Sequence, residues 1–336
     1  MDSTASLGST ALNTQPHLAH APEWASVIER TYGHAPLYLT AVDADGQSGL
    51  LPAFVVRRPI VGTIVTSMPF LDGGGPCSAS PMLADGLVER LFSEARRVGA
   101  GTVEIRSSAR LGISWTPLEH KVNMLLELPA DAADLWSGFD KGVRNQIRKA
   151  ERAGLVVRSA GAEDLNAFYG VFAARMHELG SPVHALPFFK IIFDAFGDRA
   201  RLMLVLKQNA VVGGLIALAA RDTLVVPWAS CATEYRADCP NMLLYWETLR
   251  LACGLGFRHF DFGRSTRNSG TYAFKRQWGA EERPLYWYTI PLRRSGHRRA
   301  HAEHEPTAAR LASLWRHLPL TLTRQLGPRV RKYLVQ

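Results

Sequence analysis

An order of elements that occurs twice along the chain constrains the fold most. In the first occurrence, Leu37 to Val42, Gly49 to Val56 and residues 60–67 read as strands, with Asp43-Ala-Asp-Gly46 as the first turn. Ala84 to Val98 has helical spacing, with Leu87, Leu91, Ala95 and Val98 on one face. Gly99 and Gly101 stop that helix before a strand from Thr102 to Arg106. In the second occurrence, Arg201 to Leu206, Val211 to Ala219 and Thr223 to Ser230 are the strands, separated by Gln208-Asn209 and Arg221-Asp222. Met242, Trp246, Leu249 and Cys253 share a helix face, and Gly254 and Gly256 precede a strand from Phe257 to Phe262. At 336 residues the chain is also too long for one ordinary core. The expected class is α+β: two tandem lobes, each a mixed, mostly antiparallel sheet flanked by helices. Laying Val98–Arg106 over Cys253–Asp261 sets Arg106 in the place of Asp261.

Only the second lobe follows its last strand with a long polar stretch, Asp261 to Gly279, so the chemistry is expected there. It holds Asp261, Arg264, Ser265 and Thr266 at one end and Phe274-Lys275 at the other. An amine nucleophile must lose a proton, and Asp261 is the candidate acceptor, with orientation of Arg264 or capping of the loop as its other roles. Arg264, Ser265 and Thr266 suit a phosphate or a carboxylate, or else hydrogen bonds that fix the loop. Trp228 and Ser230 end the third strand, where they either meet substrate or fill the core. Asn241 and Tyr245, four residues apart, begin the helix; Asn241 is also a candidate N-cap.

Between the lobes, Asp140 to Gly154 reads as a helix with Asp140 as N-cap. Arg144, Arg148 and Arg152 recur every four residues, beside Lys141 and Lys149, with only Glu151 to offset them. Such a face either holds phosphates or is a solvated surface.

Charge separates the body from the tail. Residues 293–336 carry ten Lys or Arg against Glu303 and Glu305, which is +8 of the chain's formal +9. A basic fold for nucleic acid is therefore not indicated, since the body is nearly neutral. Leu311, Leu314, Trp315 and Leu318, then Val330, Tyr333 and Leu334, give the tail apolar stripes flanked by arginine. It is expected either to lie on an anionic membrane surface or to dock on the body. The four cysteines show no CxxC pair and read as reduced thiols in a cytoplasmic protein. No signal peptide or membrane span is visible. No metal is expected; His297, His301 and His304 have helical spacing but are set among arginines.

Arg144-Asn-Gln-Ile-Arg-Lys-Ala-Glu-Arg-Ala-Gly-Leu155 resembles the hinge-helix signature of the Fem-type peptidyltransferases. Phe274-Lys-Arg-Gln-Trp-Gly279 resembles their Phe-Lys-x-x-aromatic-Gly motif. Pro227-Trp-Ala-Ser230, Pro240-Asn-Met-Leu-Leu-Tyr-Trp246 and Asp261-Phe-Gly-Arg-Ser-Thr266 are similar to the FemAB-related branch associated with PEP-CTERM/exosortase and exopolysaccharide loci. The resemblance spans Pro22 to Tyr288. It implies two GNAT-like lobes and transfer of an acyl or aminoacyl group to an amine, with a phosphate-bearing or lipid-linked acceptor. It further implies that Lys275, beside Phe274, steadies negative charge on the attacked carbonyl, and that Arg144, Arg148 and Lys149 hold a phosphate.

The donor stays open between aminoacyl-tRNA and acyl-CoA, with no permanently bound cofactor. No coiled-coil arm is present, and Ala232–Asn241 has no glycine with which to cradle a CoA diphosphate. An acyl-CoA-dependent N-acetyltransferase acting on a small molecule or sugar, and a non-catalytic binding protein of polysaccharide machinery, are the alternatives. The expected segments are a flexible N-terminus (1–20), a first lobe (21–139), a basic hinge helix (140–155), a second lobe carrying the site (156–292) and the tail (293–336).

Overall fold

Each half of the chain builds a mixed sheet, and each sheet takes strands from the other half. The computed structural model describes residues 17–59, 61–292 and 305–335. Helix α1 (Glu23–Tyr32) ends at Gly33 and leads into β1 (Ala35–Val42), β2 (Ser48–Arg58) and β3 (Gly62–Ser67), an antiparallel meander. A short β4 (Cys77–Ser78) pairs with β2. Helix α2 (Pro81–Arg97), whose N-cap Ser80 accepts from the Leu83 N–H, precedes β5 (Thr102–Ser107), which runs parallel to β3.

Then come β6 (Lys121–Glu127), α3 (Ala132–Gly138), α4 (Lys141–Arg152), β7 (Leu155–Ala160), α5 (Leu165–Glu178) and α6 (Leu186–Phe196). The second meander is β8 (Ala200–Lys207), β9 (Ala210–Ala220) and β10 (Thr223–Cys231). Helix α7 (Pro240–Gly254) feeds β11 (His259–Thr266), parallel to β10. After α8 (Gly270–Arg276), β12 (Glu281–Pro284) and β13 (Tyr286–Pro291), the described chain resumes with α9 (Glu305–His317) and α10 (Leu320–Arg331).

The duplicated order is present, and the halves are interlocked. β6, from the first half, pairs antiparallel with β11 in the second sheet; β13, from the second half, pairs antiparallel with β5 in the first. The sheet orders are β1-β2-β3-β5-β13 and β12-β6-β11-β10-β9-β8-β7. The boundary expected at residue 139 therefore does not coincide with the division between sheets.

The expected equivalence of Arg106 and Asp261 also shifts. Both α2 and α7 close with a left-handed glycine: Gly99 N–H donates to Arg96 O and Ala100 N–H to Ala95 O, just as Gly256 donates to Cys253 O and Phe257 to Ala252 O. Gly99 thus answers Gly256. Thr66 pairs with Glu104 as Val225 pairs with Asp261, so Glu104 occupies the equivalent position. The two-residue shift leaves each strand's inward face unchanged.

One apolar cluster ties the halves together: Trp24, Phe54 and Ile64 from the first half meet Phe168, Phe189, Ile216 and Trp228 from the second. Leu18 and Val335, near the two ends of the described chain, are buried in the same cluster. Residues 17–20, expected to fray, instead form a 3-10 turn with Leu18, Ala19 and His20 all buried. Truncating a fully buried ring such as Phe189 to Ala would cost about 3–5 kcal/mol.

Candidate active site

The parallel pairing of β10 with β11 covers only Thr223–Val225 against His259–Asp261. Beyond it, β10 shifts register against β9 between Val225 and Trp228, and β11 shifts against β6 between Asp261 and Arg264. The strands separate, and a cavity of about 330 Å³ is lined by residues on both sides of the gap: Val225–Ala229 on β10 and Asp261–Arg264 on β11. The corresponding gap in the first half is filled by the chain itself. Gly75 lies so close to Ser107 that an added Cβ would sit 2.7 Å from the Ser107 Cβ, and the Gly75 carbonyl faces His20 Nε2 at 2.8 Å.

Gly263 makes the bulge on β11. Its φ of 73° is left-handed, and an added Cβ would approach Val226 O to 3.2 Å. The bulge aims the Gly263 and Arg264 carbonyls at the Lys275 ammonium, which donates to them at 2.9 and 2.7 Å. An ammonium has three donors, so one N–H remains for a ligand in the cavity that Lys275 lines. Burial pushes the Lys275 pKa down to about 8, against the pull of Asp261 and Asp72.

Asp261 is 1% exposed. Its Oδ1 accepts from the Gly263 N–H at 2.7 Å, and its Oδ2 from Asn123 Nδ2 at 2.6 Å; His17 Nε2 lies 3.2 Å from the same oxygen. Burial alone would raise its pKa, but the His17 hydrogen bond and charge, with Asn123 and the Gly263 N–H, outweigh burial and hold it below the usual carboxylate value. Asp261 is therefore ionised, with three donors around its two oxygens. Arg264 pairs with Asp72 at 3.2 Å and lies over the Trp287 ring, while Arg106 lies over the same ring. A second cavity of about 510 Å³ shares His17, Asp72, Asn123 and Asp261 with the first, so these four residues form a wall between two spaces.

A mixed sheet that opens between parallel strands after a helix is the decisive feature. Residues 137–276 match the acetyltransferase (GNAT) domain. That stretch runs from the end of α3 through α8 and contains Lys275, Asp261 and Arg264. Among solved structures the fold is similar to FemX, 14% identical, with 83% of this chain and 93% of that one covered and a TM-score of 0.63. It is also similar to the L-PGS of Bacillus licheniformis, at 12% identity, 89% and 98% coverage and TM-score 0.53. A tandem GNAT protein from the clavulanic acid biosynthesis pathway gives 12%, 84% and 91%, and 0.51. No curated protein matches the sequence. These likenesses show the fold: two mixed sheets arranged as in FemX and the tandem GNAT protein, with residues 137–276 similar to the GNAT domain.

Within the GNAT-like stretch, the cavity brings together Lys275, Asp261, Arg264 and Trp228 from the expected set. The others line neither cavity. Arg144 donates to the Trp136 and Ser137 carbonyls at the end of α3, Arg148 lies over the Trp136 ring, and Lys149 is exposed. Asp140 caps α4 without a side-chain hydrogen bond. Ser230 and Ser265 are buried with hydroxyls that meet no partner among the described residues, and Thr266 accepts from Lys121 Nζ. Asn241 is exposed; Tyr245 is buried against Phe262 and Phe274. His297, His301 and His304 lie outside the described residues. The stretch from Asp261 to Gly279, expected as one loop, comprises a strand end, a turn and the two-turn helix α8, which Ser269 caps.

Sequence reasoning missed His17, Asp72, Asn123 and Arg331. The Gly73-Gly-Gly75 tract was the available signal for Asp72, since it closes a loop in which Met68 and Phe70 are held at positive φ.

Proposed function

We propose that this protein is a Fem-type acyltransferase, moving an acyl or aminoacyl group onto an amine acceptor in cell-envelope or exopolysaccharide synthesis. The observation that carries this reading is Lys275, held by two backbone carbonyls with one N–H left for the cavity, next to an ionised Asp261. The amine nitrogen attacks the donor carbonyl, and the oxygen that gains charge is stabilised by Lys275. Collapse forms the amide and breaks the donor's ester C–O or thioester C–S bond. The amine's proton passes to the His17–Asp261 pair and on to the leaving group. Arg264, held by Asp72, and the Trp228 ring position the substrate. The basic outer face of α4, with Lys149, is assigned to phosphates of the donor's carrier, and the acceptor is phosphate-bearing or lipid-linked.

Two features favour aminoacyl-tRNA over acyl-CoA. Helix α7 begins with Pro240, which has no N–H, after Cys239 at φ 59°, and no glycine precedes it in Ala232–Cys239. The match to an acetyltransferase domain supports acyl-CoA as the second reading. No helix among the described residues is long and apolar enough to cross a membrane. Leu311 and Leu314 on α9 stay exposed and are assigned to contact with a membrane surface that carries the acceptor.

The test is transfer of radiolabel from a pool of aminoacyl-tRNAs, and separately from acyl-CoAs, to amine acceptors extracted from an envelope fraction. Label that becomes stable to alkali, in the wild type and not in Lys275→Met, is the expected result. Transfer by the wild type no greater than without protein would leave the non-catalytic alternative standing and refute this one.

A further inference from the structure

The basic tail contributes to the wall of the cavity. Helix α10 is seated through Thr323, whose hydroxyl lies 3.2 Å from His177 Nδ1, and through Gly327, where an added Cβ would come within 3.0 Å of Val183 N. Past the helix, the Lys332 carbonyl lies 2.7 Å from His34 Nε2, and the Val335 carbonyl accepts from the Phe70 N–H. These contacts, to both halves of the protein, carry Arg331 into the cavity that Lys275 and Arg264 also line.

Arg331 is oriented by neutral groups alone. Its Nε donates to His184 Nε2 at 3.1 Å, and its guanidinium lies over the Phe70 ring. An arginine Nε can only donate, so His184 Nε2 is the bare nitrogen and Nδ1 carries the proton, facing the Tyr32 hydroxyl at 2.5 Å. His184 is buried, and burial together with the Arg331 charge holds its pKa well below the ordinary value. Burial lowers the Arg331 pKa to about 10, which leaves it charged at neutral pH. Arg264 has Asp72 at ion-pair distance, but among the described residues no carboxylate stands that close to Arg331. Its two terminal nitrogens have no hydrogen-bond partner among the described residues. A half-buried cation with no counter-ion in reach is under-compensated, and a guanidinium edge presents two parallel donors matched to a planar oxyanion.

We propose that Arg331 is the anion-binding residue of this cavity, taking a carboxylate or phosphate group of the substrate while Lys275 faces its reacting carbonyl. The second half of that statement rests on the acyltransferase reading; anion binding at Arg331 does not. The shape of the ligand follows: an oxyanion and an acyl or amine centre within the reach of one cavity of about 330 Å³.

The experiment is ligand-dependent thermal stabilisation of the full-length protein, with no donor present. N-acetylglycine serves in one arm and inorganic phosphate in the other, each against chloride at matched ionic strength. The wild type should show a saturable rise in Tm in at least one arm, and the arm that responds names the anion. Arg331→Gln should bind about tenfold or more weakly, Arg331→Lys should fall between, and Arg329→Gln, exposed on the same helix, should match the wild type. Without ligand, Arg331→Gln should melt no lower than the wild type, because an uncompensated cation has been removed. Equal stabilisation of the wild type, Arg331→Gln and Arg331→Lys would overturn the proposal, as would a wild type that responds no more to either anion than to chloride. If Arg331→Gln does not fold, Arg331→Lys decides, since it keeps the charge and loses the fork. The readout does not involve turnover, so loss of this inference and loss of the acyltransferase reading are separable.

Discussion

Replacing Lys275 with Met separates a buried catalytic cation from a structural lysine. In the wild type Lys275 is 8% exposed and its pKa falls from 10.5 to about 8, a net penalty of about 3 kcal/mol that burial causes. Met removes the penalty and leaves the Gly263 and Arg264 carbonyls without their donor, at about 1–3 kcal/mol each. The two effects oppose, so stability at pH 7 should change little.

The pH dependence is more telling. Because the folded pKa lies below the unfolded one, the unfolded chain holds the extra proton between pH 8 and 10.5. Raising the pH through that window therefore stabilises the wild type. The penalty is fully present below pH 8. Urea melts of both proteins from pH 7 to 10.5 should show the difference between them shifting by about 3 kcal/mol in favour of the wild type. Other groups titrate in both proteins and cancel in that difference. In the label-transfer assay the variant should lose about 10²–10³ in kcat, and wild-type activity should decline as the pH rises past 8 and Lys275 loses its proton. A stability difference flat across the window, with kcat within about threefold of wild type, would refute the assignment of Lys275 as a buried oxyanion-stabilising cation.

Asp261→Asn should cost about 3 kcal/mol in urea melts, because the amide cannot accept from Asn123, His17 and Gly263 together. Since the folded pKa is lowered, wild-type stability from this group is full above pH 3.8 and is lost as pH falls, and the variant should lack that acid limb; a cost under about 0.5 kcal/mol would sink the reading. Gly263→Ala should destabilise by about 1–2 kcal/mol, from its left-handed φ and the 3.2 Å approach to Val226 O, and should lower kcat through the displaced Lys275 acceptors. Unchanged kinetics would show that the bulge does not set the site. Gly327→Leu should undock α10 against Val183, seen as faster tryptic cleavage at Arg329 and Arg331 together with lost activity. A tail as resistant as wild type's would contradict the docking.

Much of the fold and part of the site were legible locally. Turn residues and apolar periodicity located both meanders, and the glycines that stop α2 and α7 stand where the periodicity ends. Lys275, Asp261 and Arg264 could be picked out because they fall in one short polar stretch. The basic row on α4 was equally visible but does not line this cavity: an i, i+4 pattern records which residues share a helix face, whereas the carbonyls of α3 that engage Arg144 are a packing outcome. The residue pairing between the halves was displaced by two for a similar reason. A Gly-x-Gly pattern offers two glycines, and only the backbone hydrogen bonds reveal which one is left-handed.

By itself, the sequence determined a duplicated α+β unit and the stretch that holds the lysine and carboxylate, because periodicity, turn chemistry and helix stops act over a few residues. Tertiary structure alone decided that β6 and β13 change sheets, which sets Asn123 against Asp261, and that residues near the two ends of the described chain, His17 and Arg331, reach one cavity. Those meetings join positions far apart in sequence. They are selected by the shared apolar core and by satisfaction of buried polar groups, which no local pattern records.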